Sequence, residues 1–238
     1  MLRIEHLTKH YKGSGKGVTD VSLHIHPGDL CAFIGHNGAG KTTTLKCVAG
    51  IHGFDAGEIF VDGVSIREDP LACKRRFAYI PDNPDLYDYL TGIQYLNFVA
   101  DVFQVPAGDR DQRIRRYADA FALTSSLGDL IGSYSHGMKQ KLAILSALVH
   151  QPKLLILDEP FVGLDPQAAV TLKELMREIC SQGGAIFFST HVLDVAEKLC
   201  NQVAIIKNGA LVAEGPMDRL VSGGKSLEDL FLEVVRHD

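Results

Sequence analysis

No apolar run in this chain approaches the roughly 20 residues that a membrane-crossing helix needs; residues 142–149, one of the longer runs, fall far short. A surplus of basic charge is missing as well. Lys and Arg number 24 against 29 Asp and Glu, giving a formal charge of -5 and a pI near 6.0. That excludes a general attraction to nucleic acid or anionic lipid, since both require a basic surface. Paired cysteines are also absent. Cys31, Cys47, Cys73, Cys180 and Cys200 are odd in number, widely spaced and never in a CxxC pair, which argues against a zinc site or a disulfide framework. Most lie in apolar stretches such as residues 30–33, as small core residues of a reducing compartment do. The first eleven residues show no basic segment leading into an apolar one, so no secretory leader is expected. The expectation is a cytoplasmic chain whose membrane contact, if it has one, runs through a partner.

The composition that remains, 46% hydrophobic and 22% charged, is that of a compact globular protein, and 238 residues suffice for a sizeable core. Residues 1–30 alternate apolar and polar positions around the turn-prone segment 12–17, which predicts two strands and a loop. Residues 58–61, Asp62-Gly63 and 64–66 predict a hairpin, so an antiparallel sheet flanks the core. From residue 90 to 150 the period becomes helical, opening with Thr91 and Gln94 at capping-box spacing. A second helix is expected over 109–121, with Arg113, Arg115 and Arg116 facing solvent. Apolar runs at 154–157, 185–188 and 203–206 then alternate with helical stretches at 168–180 and 192–199, and a capped helix is expected over 226–236. Buried parallel strands with crossover helices, an α/β class, fit this order.

Two motifs carry chemistry. Gly35-His36-Asn37-Gly38-Ala39-Gly40-Lys41-Thr42 matches G-x-x-x-x-G-K-S/T and lies between a predicted strand and a predicted helix. Glycines let backbone N–H groups turn inward around phosphate oxygens, and the following helix adds the positive end of its dipole. Lys41 then suits the β- and γ-phosphates, Thr42 suits Mg2+, and Thr43 suits the α-phosphate. The second motif, Asp158-Glu159, follows the apolar run 154–157, at the carboxyl end of a strand where α/β sheets assemble their sites. Alternation along a strand points the two acids differently. Asp158 can reach the Mg2+ shell while Glu159 polarises an attacking water. Alone, such a pair is commonly a solvated turn; beside a phosphate loop it points to nucleotide hydrolysis.

With these in place, the sequence resembles the ATP-binding cassette family, whose further motifs follow in order across nearly the whole chain. Ser133-Tyr134-Ser135-His136-Gly137-Met138 is similar to the family's signature LSGGQ, matching at Ser135 and Gly137 and departing at His136 and Met138. Phe161-Val162-Gly163-Leu164-Asp165-Pro166 resembles the D-loop, and Ser189-Thr190-His191 the end of the switch-histidine strand. The resemblance implies that Ser135 and Gly137 cover an ATP held by another subunit and that Asp165 aligns the two halves. It also implies that His191 contacts the γ-phosphate and orients water, and that Tyr11 stacks on adenine. Asp82 stands where many members carry a glutamine that contacts Mg2+; it still offers an oxygen ligand, with an added negative charge.

The resemblance further implies one ATPase domain over 1–238. Its expected parts are a P-loop NTPase core with a mostly parallel sheet, an N-terminal antiparallel β subdomain, a helical subdomain inserted at 84–148 and a helical tail at 219–238. Expected cofactors are ATP and Mg2+. Expected partners are a similar ATPase subunit, as homodimer or heterodimer, and transmembrane permease subunits. Direct nucleic-acid contact is not expected, and the location is the cytoplasmic face of the membrane. Residues 85–91 and 226–231 resemble cassettes that drive ABC-2 type exporters. Two readings compete with this one. A soluble family ATPase acting on nucleic acid or ribosomes would normally pair two cassettes or carry coiled-coil or zinc inserts, and the sequence has neither. A regulatory module without turnover is disfavoured by Glu159 and His191 and favoured by the departures at Asp82 and His136.

Overall fold

The computed structural model describes residues 1–11, 13 and 15–236; Lys12 and Ser14 of the expected turn, and His237 and Asp238 of the expected tail, lie outside them. The chain opens with β1 (Leu2–His10) and β2 (Gly17–Ile25), then β3 (Leu30–Ile34), α1 (Lys41–Val48), β4 (Ala56–Val61) and β5 (Val64–Ser65). Strands β2, β1, β4 and β5 form an antiparallel sheet in that order. Asp62 and Gly63 join β4 to β5 with φ of 49° and 78°. Positive φ at both central residues matches the strand twist, which explains why an Asp-Gly pair makes this hairpin.

Next come α2 (Pro70–Lys74), β6 (Phe77–Ile80), α3 (Gly92–Val102), α4 (Ala107–Ala120), α5 (His136–Val149), β7 (Leu154–Asp158) and α6 (Pro166–Ser181). The chain ends with β8 (Ala185–Thr190), α7 (Leu193–Leu199), β9 (Gln202–Lys207), β10 (Ala210–Pro216), α8 (Met217–Leu220) and α9 (Leu227–Arg236). The second sheet runs β10-β9-β3-β8-β7-β6, parallel except for β10. Its central strands are buried along their whole length, which is why they read as unbroken apolar runs.

Alternation along those strands divides the interior in two. Ala32, Ile34, Leu155, Leu157, Ile186 and Phe188 face a core shared with α3 to α9. Cys31, Phe33, Leu154, Ile156 and Phe187 face α1 and the antiparallel sheet, with the rings of Phe33 and Phe187 5.2 Å apart. The cysteines are free; four are buried and Cys180 is half-buried.

Between β6 and β7 the chain is helical. Thr91 caps α3 reciprocally with Gln94: Gln94 Oε1 accepts the Thr91 N–H at 2.9 Å, and Thr91 Oγ1 accepts the Gln94 N–H at 3.3 Å. Helix α4 begins at Ala107, two residues before the expected Asp109, because Pro106 serves as its N-cap and Asp109 falls in the first turn. Of the three arginines expected in solvent, Arg115 and Arg116 are exposed. Arg113 is half-buried instead: it donates to the Val149 carbonyl at 3.0 Å and pairs with Asp109, so it closes the end of α5.

Candidate functional site

The segment after β3 is shaped by what glycine permits. At Gly35 a Cβ would lie 2.5 Å from the Ile206 carbonyl oxygen; Gly40 has φ 113° and would place a Cβ 2.6 Å from Val18 Cγ1. Helix α1 starts directly behind, with Gly40 as an N-cap that has no side chain to offer its first turn. Its leading N–H groups therefore point out of a helix end that carries partial positive charge. Lys41 is buried at 7% exposure, and its Nζ donates to the carbonyls of Gly35 at 2.6 Å and His36 at 3.3 Å. Burial lowers the Lys41 pKa, while the charges of Glu159 and Asp158 push it back up.

A cleft of about 420 Å³ lies over this loop. Its walls bring together His36, Asn37, Gly38, Gly40, Lys41, Thr42 and Thr43 from the loop and helix, Asp158 and Glu159 from the end of β7, Asp82 after β6, and Tyr11 after β1. Gly35 and Ala39 are buried behind it; the Ala39 N–H donates to His36 and its carbonyl accepts from Gly209. Lys16 and Gly17 also line the cleft, although their sequence pattern marks them only as turn residues. The His36 ring lies 5.0 Å from that of Phe231 on α9, a further contact with no local signal in the sequence.

Asp158 is 1% exposed. One oxygen, Oδ1, accepts from the Ser189 hydroxyl at 2.5 Å; the other, Oδ2, is buried with no hydrogen-bond partner. Burial raises the Asp158 pKa most, the Ser189 hydrogen bond and the nearby Thr42 side chain draw it down, and the charges of Asp82 and Glu159 raise it again. A desolvated carboxylate with one free oxygen, beside the Thr42 side chain, is a donor set that suits a hard divalent cation. Glu159 has φ 49° and is held by two bonds from its N–H, to Ser189 Oγ at 3.0 Å and to the Ser189 carbonyl at 3.2 Å. Its Oε2 meets His191 Nδ1 at 2.9 Å, so His191 reaches the site through Glu159 without lining the cleft.

Ser135, Gly137 and Asp165 do not line that cleft. Their segments meet instead, through His136 and Gly137 against Gly163 and through Lys141 with Asp165. Ser135 caps α5 by accepting the Met138 N–H at 3.3 Å, and Asp165 caps α6 by accepting the Ala168 N–H at 2.8 Å. Lys141 on α5 pairs with Asp165 at 2.6 Å, and that hydrogen bond, followed by the Ala168 N–H, holds the Asp165 pKa down. Gly163 lies under the His136 ring, and Gly137 is so near the Gly163 carbonyl that a Cβ would come within 2.8 Å of it.

This fold, with a phosphate-type loop, a buried acid pair and a separate serine-glycine surface, defines a class of nucleotide hydrolase. The chain belongs to the ABC transporter family, whose model matches residues 18–162. The ABC-type transporter ATP-binding protein EcsA of Bacillus subtilis (strain 168) is 35% identical over 223 residues, covering 92% of this chain and 90% of that protein. The linearmycin resistance ATP-binding protein LnrL of the same strain is 32% identical over 232 residues, covering 97% and 74%. A solved structure of an ATP binding subunit of an ABC transporter matches with a TM-score of 0.94 at 35% identity, covering 98% of this chain and 99% of that one. The chain is thus an ATP-binding ABC ATPase domain.

Proposed function

We propose that this ATPase dimerises head-to-tail around two Mg-ATP molecules and drives a transmembrane permease, in the direction of export. One observation carries the dimer: a single chain's cleft gathers Lys41, Thr42, Asp158 and Glu159, while Ser135, Gly137 and Asp165 lie on neighbouring segments outside its lining. A second copy, turned by two-fold symmetry, supplies what each cleft lacks. In this reading Tyr11 supports the adenine ring, and the N–H groups of Gly38, Gly40, Lys41, Thr42 and Thr43 surround the phosphates, with Ala39 packed behind them to hold the loop's shape. His36, Asn37 and Gly35 complete the loop. The free oxygen of Asp158, with Thr42 and Asp82, would hold Mg2+, which neutralises charge on the phosphate oxygens when bound.

Glu159 polarises the attacking water and accepts its proton, and His191 Nδ1 holds that carboxylate in place. Closure on ATP and reopening after hydrolysis is the motion passed to the permease. The helical segment and the Asp82 loop are the surfaces on which it docks. The likeness to LnrL, whose name carries linearmycin resistance, favours export. Among the described residues no helix is long and apolar enough to cross a membrane, so the permease would supply the membrane attachment on the cytoplasmic face. The net charge of -5 favours a protein partner over nucleic acid.

The experiment is Glu159→Gln, which removes the base and keeps the shape. Turnover is expected to fall by about 10²- to 10⁴-fold, ATP binding to persist, and an ATP-dependent dimer to accumulate on size exclusion. Parent-level turnover would remove Glu159 from its role, and a monomer at saturating Mg-ATP would remove the dimer.

A further inference from the structure

Ser189 is the fifth of the six buried residues of β8, directly after Phe187 and Phe188, and it is completely buried. A hydroxyl there costs free energy unless it is hydrogen-bonded, and an alanine would occupy the position without that cost. Both of its bonding capacities are directed at the acid pair. Its lone pair accepts the Glu159 N–H at 3.0 Å, and its oxygen stands 2.5 Å from Asp158 Oδ1, the residue opposite it in the β7–β8 register. A hydroxyl has one proton, and the Glu159 contact uses a lone pair, so the proton goes to Asp158 Oδ1. The neighbouring Thr190 hydroxyl takes no part; it accepts the Val192 N–H in the following turn.

We propose that Ser189 is a positioning residue for hydrolysis. Its hydroxyl occupies one oxygen of Asp158 so that the other is presented to the cation, and it anchors the backbone turn that aims Glu159. The second half follows from the backbone. Glu159 has φ 49°, a left-handed conformation that a side-chain-bearing residue adopts at a cost of about 1 kcal/mol. Both acceptors that hold its N–H in that turn belong to residue 189. Two residues on, the same strand delivers His191 to Glu159 Oε2. One serine therefore sets the relative placement of Asp158, Glu159 and His191. A hydrogen bond that orients a metal ligand is worth about 10- to 100-fold in metal affinity or activity in other sites.

The inference rests on the roles given above to Asp158 and Glu159. Its test compares Ser189→Ala, Ser189→Thr and Glu159→Gln in the full chain. Four quantities are followed: kcat and KM for Mg-ATP, Mn2+ binding beside a non-hydrolysable ATP analogue by electron paramagnetic resonance, ATP affinity without metal, and melting temperature. Ser189→Ala is expected to lower kcat and weaken Mn2+ binding by about tenfold or more each, with metal-free ATP affinity unchanged. Ser189→Thr, which keeps the hydroxyl, is expected to recover most of both losses.

Parent-like kcat and Mn2+ affinity in Ser189→Ala overturn the proposal. Equal losses in the Ala and Thr variants, with matching falls in melting temperature, assign the residue to packing and overturn it too. Should Ser189→Ala not fold, Ser189→Cys carries the test: its weaker donor predicts intermediate kcat and Mn2+ affinity, and parent-like values again overturn it. An inactive Glu159→Gln beside a normal Ser189→Ala removes only the serine's role. An active Glu159→Gln removes the base assignment itself.

Discussion

Two regions of this molecule present helix N-termini, one inside the cleft and one outside its lining, and they treat the helix ends in opposite ways. At α1 the N-cap is Gly40, which has no side chain to satisfy the first turn. At α5 and α6 the caps are Ser135 and Asp165, each bonded to its own helix. Charge follows the same division. Lys41 and Asp158 are buried, with pKa values shifted by desolvation and with one Asp158 oxygen unpaired. Asp165 is exposed and ion-paired with Lys141. The first region is a cavity that leaves a buried carboxylate oxygen unpaired; the second is a surface whose caps and charge already have partners within the chain.

If that contrast is sound, Lys41→Ala is the most damaging change short of removing the base. In the proposed site it deletes the charge-assisted contact to phosphate, and ATP affinity is expected to fall by about 100-fold, or roughly 2.7 kcal/mol. The melting temperature of the ATP-free protein should hardly change, because burial already works against the ammonium. Titration with a fluorescent ATP analogue checks this, and unchanged affinity would break the distinction between cavity and surface.

The helical side has its own half-buried titratable group, His150, at the end of α5. Its ring stacks on Phe103 at 3.7 Å, and burial pulls its pKa down to about 4. A histidine that stays neutral when folded and protonates at its ordinary 6.5 when unfolded contributes stability above pH 6.5. That stability is lost as pH falls toward 4. Between pH 7.5 and 5 the loss is on the order of 2 kcal/mol, or about 4–8 °C in melting temperature for a domain of this size. His150→Gln should flatten that part of the pH–stability curve; if the variant and parent curves stay parallel, His150 does not carry it.

What is legible in the sequence divides along the same line. The glycine loop and the acid pair are local spacings attached to unbroken apolar runs, so the pattern alone sets Lys41 and Thr42 at the start of the helix after one buried strand and Asp158 and Glu159 at the end of another. The hairpin at Asp62-Gly63 and the Thr91 cap are legible for the same reason. The short β6 and the edge strand β10 are not, since each is defined by pairing with β7 or β9 more than by its own pattern. Ser189 escapes because its meaning depends on the register that sets it opposite Asp158, 31 positions away. His136 is legible only as a departure from a motif, since its contact with Gly163 is also non-local.

That contact gives the smallest and sharpest test. Gly163 has φ 80°, and a Cβ there would meet His136 Cδ2 at 2.5 Å and Nε2 at 2.8 Å. His136 is exposed, so its ring can swing away, but the backbone beside it cannot retreat freely, because Gly137 already lies close against the Gly163 carbonyl. Gly163→Ala should therefore disturb the Ser135–Gly137 surface and leave the Lys41 cleft intact. ATP affinity is expected to stay at the parent value while turnover falls by about tenfold, or 1.4 kcal/mol. Separately, the left-handed alanine costs about 1 kcal/mol of folding stability, read as a lower melting temperature, that no partner change can return. The loss of turnover is assigned to the ring. In Gly163→Ala/His136→Gly the clashing atoms are gone, so turnover should rise above that of Gly163→Ala, with a coupling of about 0.5 kcal/mol or more between the two sites. Strict additivity in that cycle would mean that the ring and the glycine are neighbours without consequence, and that the second region is less finished than its caps and ion pair imply.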